Sequence, residues 1–153
     1  MTPEERLAEL GLTLPEVPEP VAAYVPAVRS GRMVYTSGQL PMVDGSLLLT
    51  GHVGGGVDVE AAAACARVCA LNAVAAVKSV VGDLSKVQRI VKVCGFVAST
   101  PDFTQHSAVM NGASELLLSI FGDSGRHART SIGVAVLPLG APVEVELTVE
   151  VSD

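Results

Sequence analysis

The stretch GRHARTS, residues 125–131, puts two arginines and a histidine within seven residues, directly ahead of the apolar run IGVAVLP. An arginine at a strand start, flanked by small residues, can hold a carboxylate through two parallel N–H···O bonds. The planar guanidinium presents its donors as a fixed fork that matches the two oxygens. Arg129 stands at that place, and Arg126 and His127 add positive potential beside it. A surface ion pair with one of the chain's glutamates would use the same residue types, and the local sequence leaves both open.

Other chemistry is less well supported. GHVGGGVD has the glycines of a phosphate loop but lacks the Lys-Ser/Thr ending, and it follows no firm strand. It reads as a flexible connector feeding a helix N-terminus. His52, His106 and His127 are far apart and form no metal-ligand spacing. Asp102 and His106 can be helix neighbours, but two ligands make a poor site. Ser37 in TSGQ is not in a G-x-S-x-G elbow, and no Ser-His-Asp order stands out. Cys65 and Cys69 are four apart on an expected helix and Cys94 lies in a strand-like run. All three read as buried small hydrophobes rather than as a disulfide or zinc framework.

These residues must be positioned by one domain of 153 residues, 49% hydrophobic and 17% charged, which is ample for a packed core. With no Trp, two Tyr and three Phe, that core is built from Val, Leu, Ala and Ile. A net charge of −6 suits solubility and disfavours a nucleic-acid partner, since phosphate binding needs a basic face. The start MTPEERLAEL lacks the basic and apolar regions of a signal peptide. The most apolar stretch, residues 59–81, is interrupted by Glu60, Arg67, Asn72 and Lys78, so no membrane span is expected. The chain reads as soluble and cytoplasmic.

Thr2-Pro3-Glu4-Glu5 is a helix start with cap, first-turn proline and acidic residues at the positive end of the dipole; Gly11 stops it. TLPEVPEP is an extended connector. Residues 1–20 are thus an N-terminal helix and Pro-rich extension, and 21–153 the main domain. AYVPAV and MVYTSGQL read as two strands around a turn at Ser30-Gly31, followed by a short strand at 47–49. The spacing then predicts a helix over 58–81 ending at Gly82, a buried strand over 87–100 and a helix from 101 to about 121. Strands over 129–137 and 143–151, joined by PLGAP, complete the order β-β-(β)-α-β-α-β-β. The expected class is α+β, a single sheet with two helices on one face.

Strand residues alternate sides. Val143, Val145, Leu147, Val149 and Val151 share one face of the last strand; Glu144, Glu146, Thr148 and Glu150 share the other. In the strand before it, Ile132, Val134 and Val136 form one set, assigned to the helices, and Arg129, Ser131, Gly133 and Ala135 the other. The second face is either solvated or an assembly surface, its small residues allowing close approach. If the two strands form a hairpin, Glu144 lies opposite Leu137, and Arg129 is eight residues away, about 25 Å at ~3.3 Å per residue. One site using both would then draw one of them from a second subunit.

AYVPAV, VYTSGQLP, GFVASTPDF and above all ARTSIGVAVLPLGAPVEVELTVEV resemble the RidA/YjgF family of small trimeric proteins, once labelled L-PSP endoribonucleases. The resemblance runs over residues 21–151. It implies a chorismate mutase-like (RidA-like) fold, a homotrimer with sites between subunits, and no cofactor. It also implies hydrolysis of reactive 2-imino and enamino acids to 2-keto acids and ammonia. Such species arise when PLP enzymes dehydrate serine or threonine. By the same resemblance Arg129 matches the arginine that grips the substrate carboxylate and Glu144 the glutamate that positions or activates water. Tyr24 matches the site tyrosine, and Ser37-Gly38 the residues contacting substrate. The chain departs from the pattern where Ser131 replaces the usual cysteine, where Ser107 stands in place of a common asparagine, and in a longer loop FGDSGRH. The expected ligand is a small carboxylate-bearing imine or keto acid. The alternative is a non-catalytic, regulatory carboxylate-binding trimer that keeps the role of Arg129 and drops that of Glu144. The acidic balance, sparse aromatics and missing His-rich set argue against a ribonuclease.

Overall fold

The computed structural model describes residues 1–17 and 23–153. The boundary expected between residues 20 and 21 lies outside the described residues. The chain begins with α1 (Pro3–Glu9), in which Thr2 and Glu5 form a reciprocal capping box. The first hairpin pairs β1 (Ala27–Ser30) with β2 (Met33–Thr36). A second, minimal hairpin pairs β3 (Met42–Val43) with β4 (Ser46–Leu47). Then follow α2 (Val59–Val81), β5 (Val87–Ala98), α3 (His106–Phe121), β6 (Ala128–Val134) and β7 (Val143–Val151). This is the expected α+β order with helices packed on one main sheet, except that the single short strand expected at 47–49 is the β3–β4 hairpin.

α2 starts where the Asp58 carboxylate accepts the Ala61 N–H at 2.8 Å and stops at Gly82, whose φ of 82° favours glycine. By length and composition alone it could cross a membrane. Here Ala62, Cys65, Ala66, Cys69, Ala73 and Val74 are fully buried, so it is a core helix. α3 begins later than the sequence suggests. Pro101 and Asp102 form a turn, with the Phe103 N–H donating to the Thr100 carbonyl at 3.1 Å, and the helix opens only at His106. The two helices approach closely at Gly112, which faces the backbone of Ala63 on α2. The N-terminal helix is docked on the domain. Leu7 is buried, Glu4 accepts the Leu84 N–H at 2.7 Å, and Arg6 reaches the Ile120 carbonyl at 3.4 Å.

The sheet order is β1-β2-β7-β5-β6. β6 and β7 therefore do not form the hairpin that their sequence suggests. β5, α3 and β6 make a parallel crossover, and β7 returns on the far side of β5, antiparallel to both β2 and β5. β7 takes the centre because its Val143, Val145, Leu147, Val149 and Val151 face is all but completely buried.

The parallel register also corrects the faces assigned to β6. Arg129, Ser131 and Gly133 pair with Val93, Gly95 and Val97, which in turn pair with Leu147, Val145 and Val143. Arg129 thus lies on the helix side. Ile132, paired with Phe96 and through it with Glu144, lies on the open side and is 45% exposed. The apolar set expected against the helices points away from them. α3 offers a polar stripe there instead, and it is this stripe that turns the Arg129 side inward.

Candidate active site

Arg129 enters β6 one residue after its start and reaches across to α3. Its Nη1 donates to Asn111 Oδ1 at 2.9 Å and to Ser114 Oγ at 3.0 Å. Its Nη2 makes a long 3.5 Å contact with the Ser107 carbonyl. No carboxylate of the described residues forms an ion pair with it. Of the two uses the sequence left open, the surface ion pair is absent among the described residues. Ser107, Asn111 and Ser114 are spaced four and three residues apart, so they stack on one face of the helix. Behind them, His127 Nε2 lies 2.8 Å from Ser114 Oγ, and its Nδ1 lies 2.6 Å from the Gly125 carbonyl. Ser131 sits two residues along the same face of β6, its hydroxyl oxygen covered and without a partner among the described residues.

Glu144 stands on the other face of the sheet, beside Gly38. A Cβ on residue 38 would collide with the Glu144 carboxylate, so the glycine is what lets the side chain lie against the backbone. Burial pushes the Glu144 carboxyl above the usual carboxylate range, and the neighbouring Glu146 charge pushes it the same way. The adjoining loop is tightly held. Ser37 Oγ donates to the Val25 carbonyl at 2.6 Å, Ser37 N–H to Pro26 O at 2.8 Å, and Gln39 exchanges backbone bonds with Val145. Asn72 of α2 donates to the carbonyls of Leu40 and Met42 at 3.0 and 3.1 Å. Tyr24 directly precedes Val25, whose carbonyl accepts the Ser37 hydroxyl, and is 66% exposed.

Two groups emerge rather than one. Tyr24, Ser37, Gly38 and Glu144 belong to the end of the sheet where β2 runs out. Arg129, Ser107 and Ser131 belong to the seam between β6 and α3. Arg129 pairs with Val93 and Glu144 with Phe96, with β5 lying between their strands. Three residues along and two strands across amount to about 10 Å in each direction, on opposite faces. The sequence estimate of the gap assumed a hairpin and overstated it. The separation of the two residues within one chain comes instead from the sheet standing between them. Asn111 and Ser114 were not legible as site residues, although polar residues at 107, 111 and 114, spaced to share one helix face, were a visible signal.

Among the described residues no group of three or more His, Cys, Asp or Glu is placed to hold a metal ion. Cys65 and Cys69 are buried, and burial raises the Cys65 thiol to about 11 and the Cys69 thiol well above its ordinary value. Cys94 is only half-buried, its thiol also raised by burial. Thiols held protonated in this way are poor nucleophiles.

A family model described as "YjgF/chorismate mutase-like, putative endoribonuclease" matches residues 4–151. The chain belongs to the RidA/YjgF family. It is 47% identical over 148 residues to Protein TCP17 of Trypanosoma cruzi, covering 96% of this chain and 92% of that one. It is 32% identical over 137 residues to a 2-iminobutanoate/2-iminopropanoate deaminase of Dermatophagoides farinae, covering 88% and 91%. Among solved structures, the protein Atu1372 from Agrobacterium tumefaciens, described as of unknown function, superposes with a TM-score of 0.92 at 48% identity, covering 98% and 92%. The family match begins inside α1, so the N-terminal helix falls within its span.

Proposed function

We propose that this RidA/YjgF protein hydrolyses small 2-imino and enamino acids to 2-keto acids and ammonia, at clefts completed by neighbouring copies in a homotrimer. The observation that carries the reading is the guanidinium of Arg129. Both Nη1 hydrogens are held by α3, while the Nε–Nη2 edge keeps two N–H groups with, among the described residues, only the long Ser107 contact upon it. Two parallel N–H groups fit one carboxylate. A substrate seated there has its imine carbon fixed one bond away from a known anchor, which is most of what an already electrophilic carbon requires.

In this reading Glu144 of an adjacent copy takes a proton from water as the water oxygen bonds to the imine carbon and the C=N pair moves to nitrogen. That proton passes to the nitrogen and completes the carbinolamine. Its C–N bond then breaks as the carboxylate carries the hydroxyl proton to the leaving nitrogen and the oxygen pair forms the C=O, releasing ammonia and the 2-keto acid. A carboxylate raised by burial is a better base than an ordinary one. Tyr24 and the Ser37-Gly38 backbone would line the same cleft, and no cofactor is needed. We take the place of action to be the cytoplasm, where dehydration of serine and threonine by PLP enzymes releases such imines. The test is Arg129→Ala. With 2-iminobutanoate generated in situ, keto-acid release should fall to the uncatalysed rate. Wild-type turnover by that variant would refute the assignment.

A second reading has its own support. The Arg129 clamp is built wholly within one chain and leaves Glu144 on the other side of the sheet. A regulatory trimer that only binds a small carboxylate would need nothing more. Tight 2-oxobutyrate binding without turnover of any imine would favour it.

A further inference from the structure

The proposed clamp raises the question of what aims Arg129, and the answer lies in a residue that need touch no substrate. The Gly125 carbonyl can only accept, so the 2.6 Å contact places a hydrogen on His127 Nδ1. In the neutral ring Nε2 is then a bare acceptor. The Ser114 hydroxyl, 2.8 Å away, must spend its one hydrogen on it. With that hydrogen fixed, the Ser114 lone pairs face the Arg129 Nη1 at 3.0 Å. The chain of bonds runs from Gly125 O through His127 and Ser114 to the guanidinium, and each link determines the orientation of the next. Asn111 Oδ1 at 2.9 Å holds the second Nη1 hydrogen. A planar guanidinium pinned by both hydrogens of one nitrogen cannot rotate within its plane, so the Nε–Nη2 edge is presented at a set angle.

We propose that His127 is a positioning residue for carboxylate recognition, acting through Ser114 to set the plane of Arg129. The inference rests on the carboxylate-clamp reading. It assigns His127 a role different from simple positive potential, because the relay uses the neutral ring as an acceptor.

The experiment is titration calorimetry of the full-length protein with 2-oxobutyrate, with thermal unfolding recorded for each variant. Ser114→Ala and His127→Asn, the latter keeping an amide near the Nδ1 position but losing the reach to Ser114, should each weaken binding by about five- to tenfold, the scale of one lost orienting bond. Ser114→Thr keeps the hydroxyl and should restore binding to within about twofold of wild type. In an Arg129→Lys background His127→Asn should change the Kd by less than about twofold, because a compact ammonium needs no aiming. A merely structural role for His127 would give the same loss in both backgrounds and would overturn the proposal. So would wild-type binding by Ser114→Ala and His127→Asn while Arg129→Ala loses it, an outcome that leaves the clamp reading intact. If Arg129→Ala binds as wild type does, or the wild type binds nothing, the clamp reading falls and the relay with it.

Discussion

Gly38→Ala tests the Glu144 half of the proposed site without disturbing the fold. Gly38 is not in the left-handed region, so alanine meets no backbone strain there. Its Cβ would lie 2.7 Å from Glu144 Cδ and 3.0 Å from Cγ, and closer still to Oε1. Ordinary carbon contacts begin at about 3.5 Å, so the carboxyl group must withdraw by roughly 1 Å. The obstacle is the end of a flexible side chain rather than backbone, so the change in stability should stay below about 1 kcal/mol. Catalysis has less tolerance, and a misplacement of about 1 Å can cost on the order of 100-fold. The assay releases 2-iminobutanoate from threonine with a dehydratase and follows 2-oxobutanoate formation with and without the variant. Keto-acid formation should lose most of its acceleration. Because the Ser37-Gly38 backbone lines the same proposed cleft, binding of 2-oxobutyrate should weaken too, but far less than turnover, since the Arg129 clamp is held by α3 alone. Acceleration equal to wild type would show that Glu144 has no geometric task, and the proposed water activation would be wrong.

Gly112→Ala addresses the helix pair. A Cβ there would collide with the Ala63 carbonyl and lie 2.8 Å from its carbon, and neither helix backbone can give way locally. Overpacking costs about 1–3 kcal/mol against a helix-propensity gain of about 1 kcal/mol, so the urea midpoint should fall. An unchanged midpoint would show that α2 and α3 separate freely. Glu144→Gln addresses pH. The folded carboxyl sits above its unfolded value, so the native state holds the extra proton just above the usual carboxylate range and stability falls as pH rises through that window. The variant should therefore unfold with the wild type at acidic pH and at a higher temperature at pH 7; a lower melting point at pH 7 would refute the account.

The elements that carried their own signals were legible from sequence. α2 announced itself by Asp58 and Gly82, and β7 by strict alternation of valine or leucine with polar residues. What alternation does not encode is which strand lies alongside. Residues 129–137 and 143–151 have the look of a hairpin, but a period of two residues says nothing about neighbours, and the α3 crossover takes β6 to the far edge of β5. The face of β6 was misjudged for a related reason. Ile132 and Val134 are the natural candidates for burial only if the opposing helix surface is apolar. Along α3 that surface carries Ser107, Asn111 and Ser114, which select Arg129 instead. Legibility of the site followed the same division. Arg129, Glu144 and the TSGQ loop stood out by residue type and by family resemblance, whereas the helix residues that hold the arginine mean something only once β6 is known to lie against them.

The sheet therefore acts as a partition between two half-sites. On one side the arginine is fixed by bonds that run entirely within the chain, through α3 and residues 125–127. On the other, Glu144 is kept half-buried beside Glu146 by a glycine that admits its carboxylate and by a loop tied to β7 and α2. Neither half depends on the other for its local geometry, and among the described residues of one chain no polar contact links them. Carboxylate affinity should thus follow chiefly the Arg129 half and chemical turnover chiefly the Glu144 half. A deaminase made of two copies requires both, whereas a carboxylate-binding trimer requires only the first. Perturbing the halves separately is for that reason the measurement that divides the two functions.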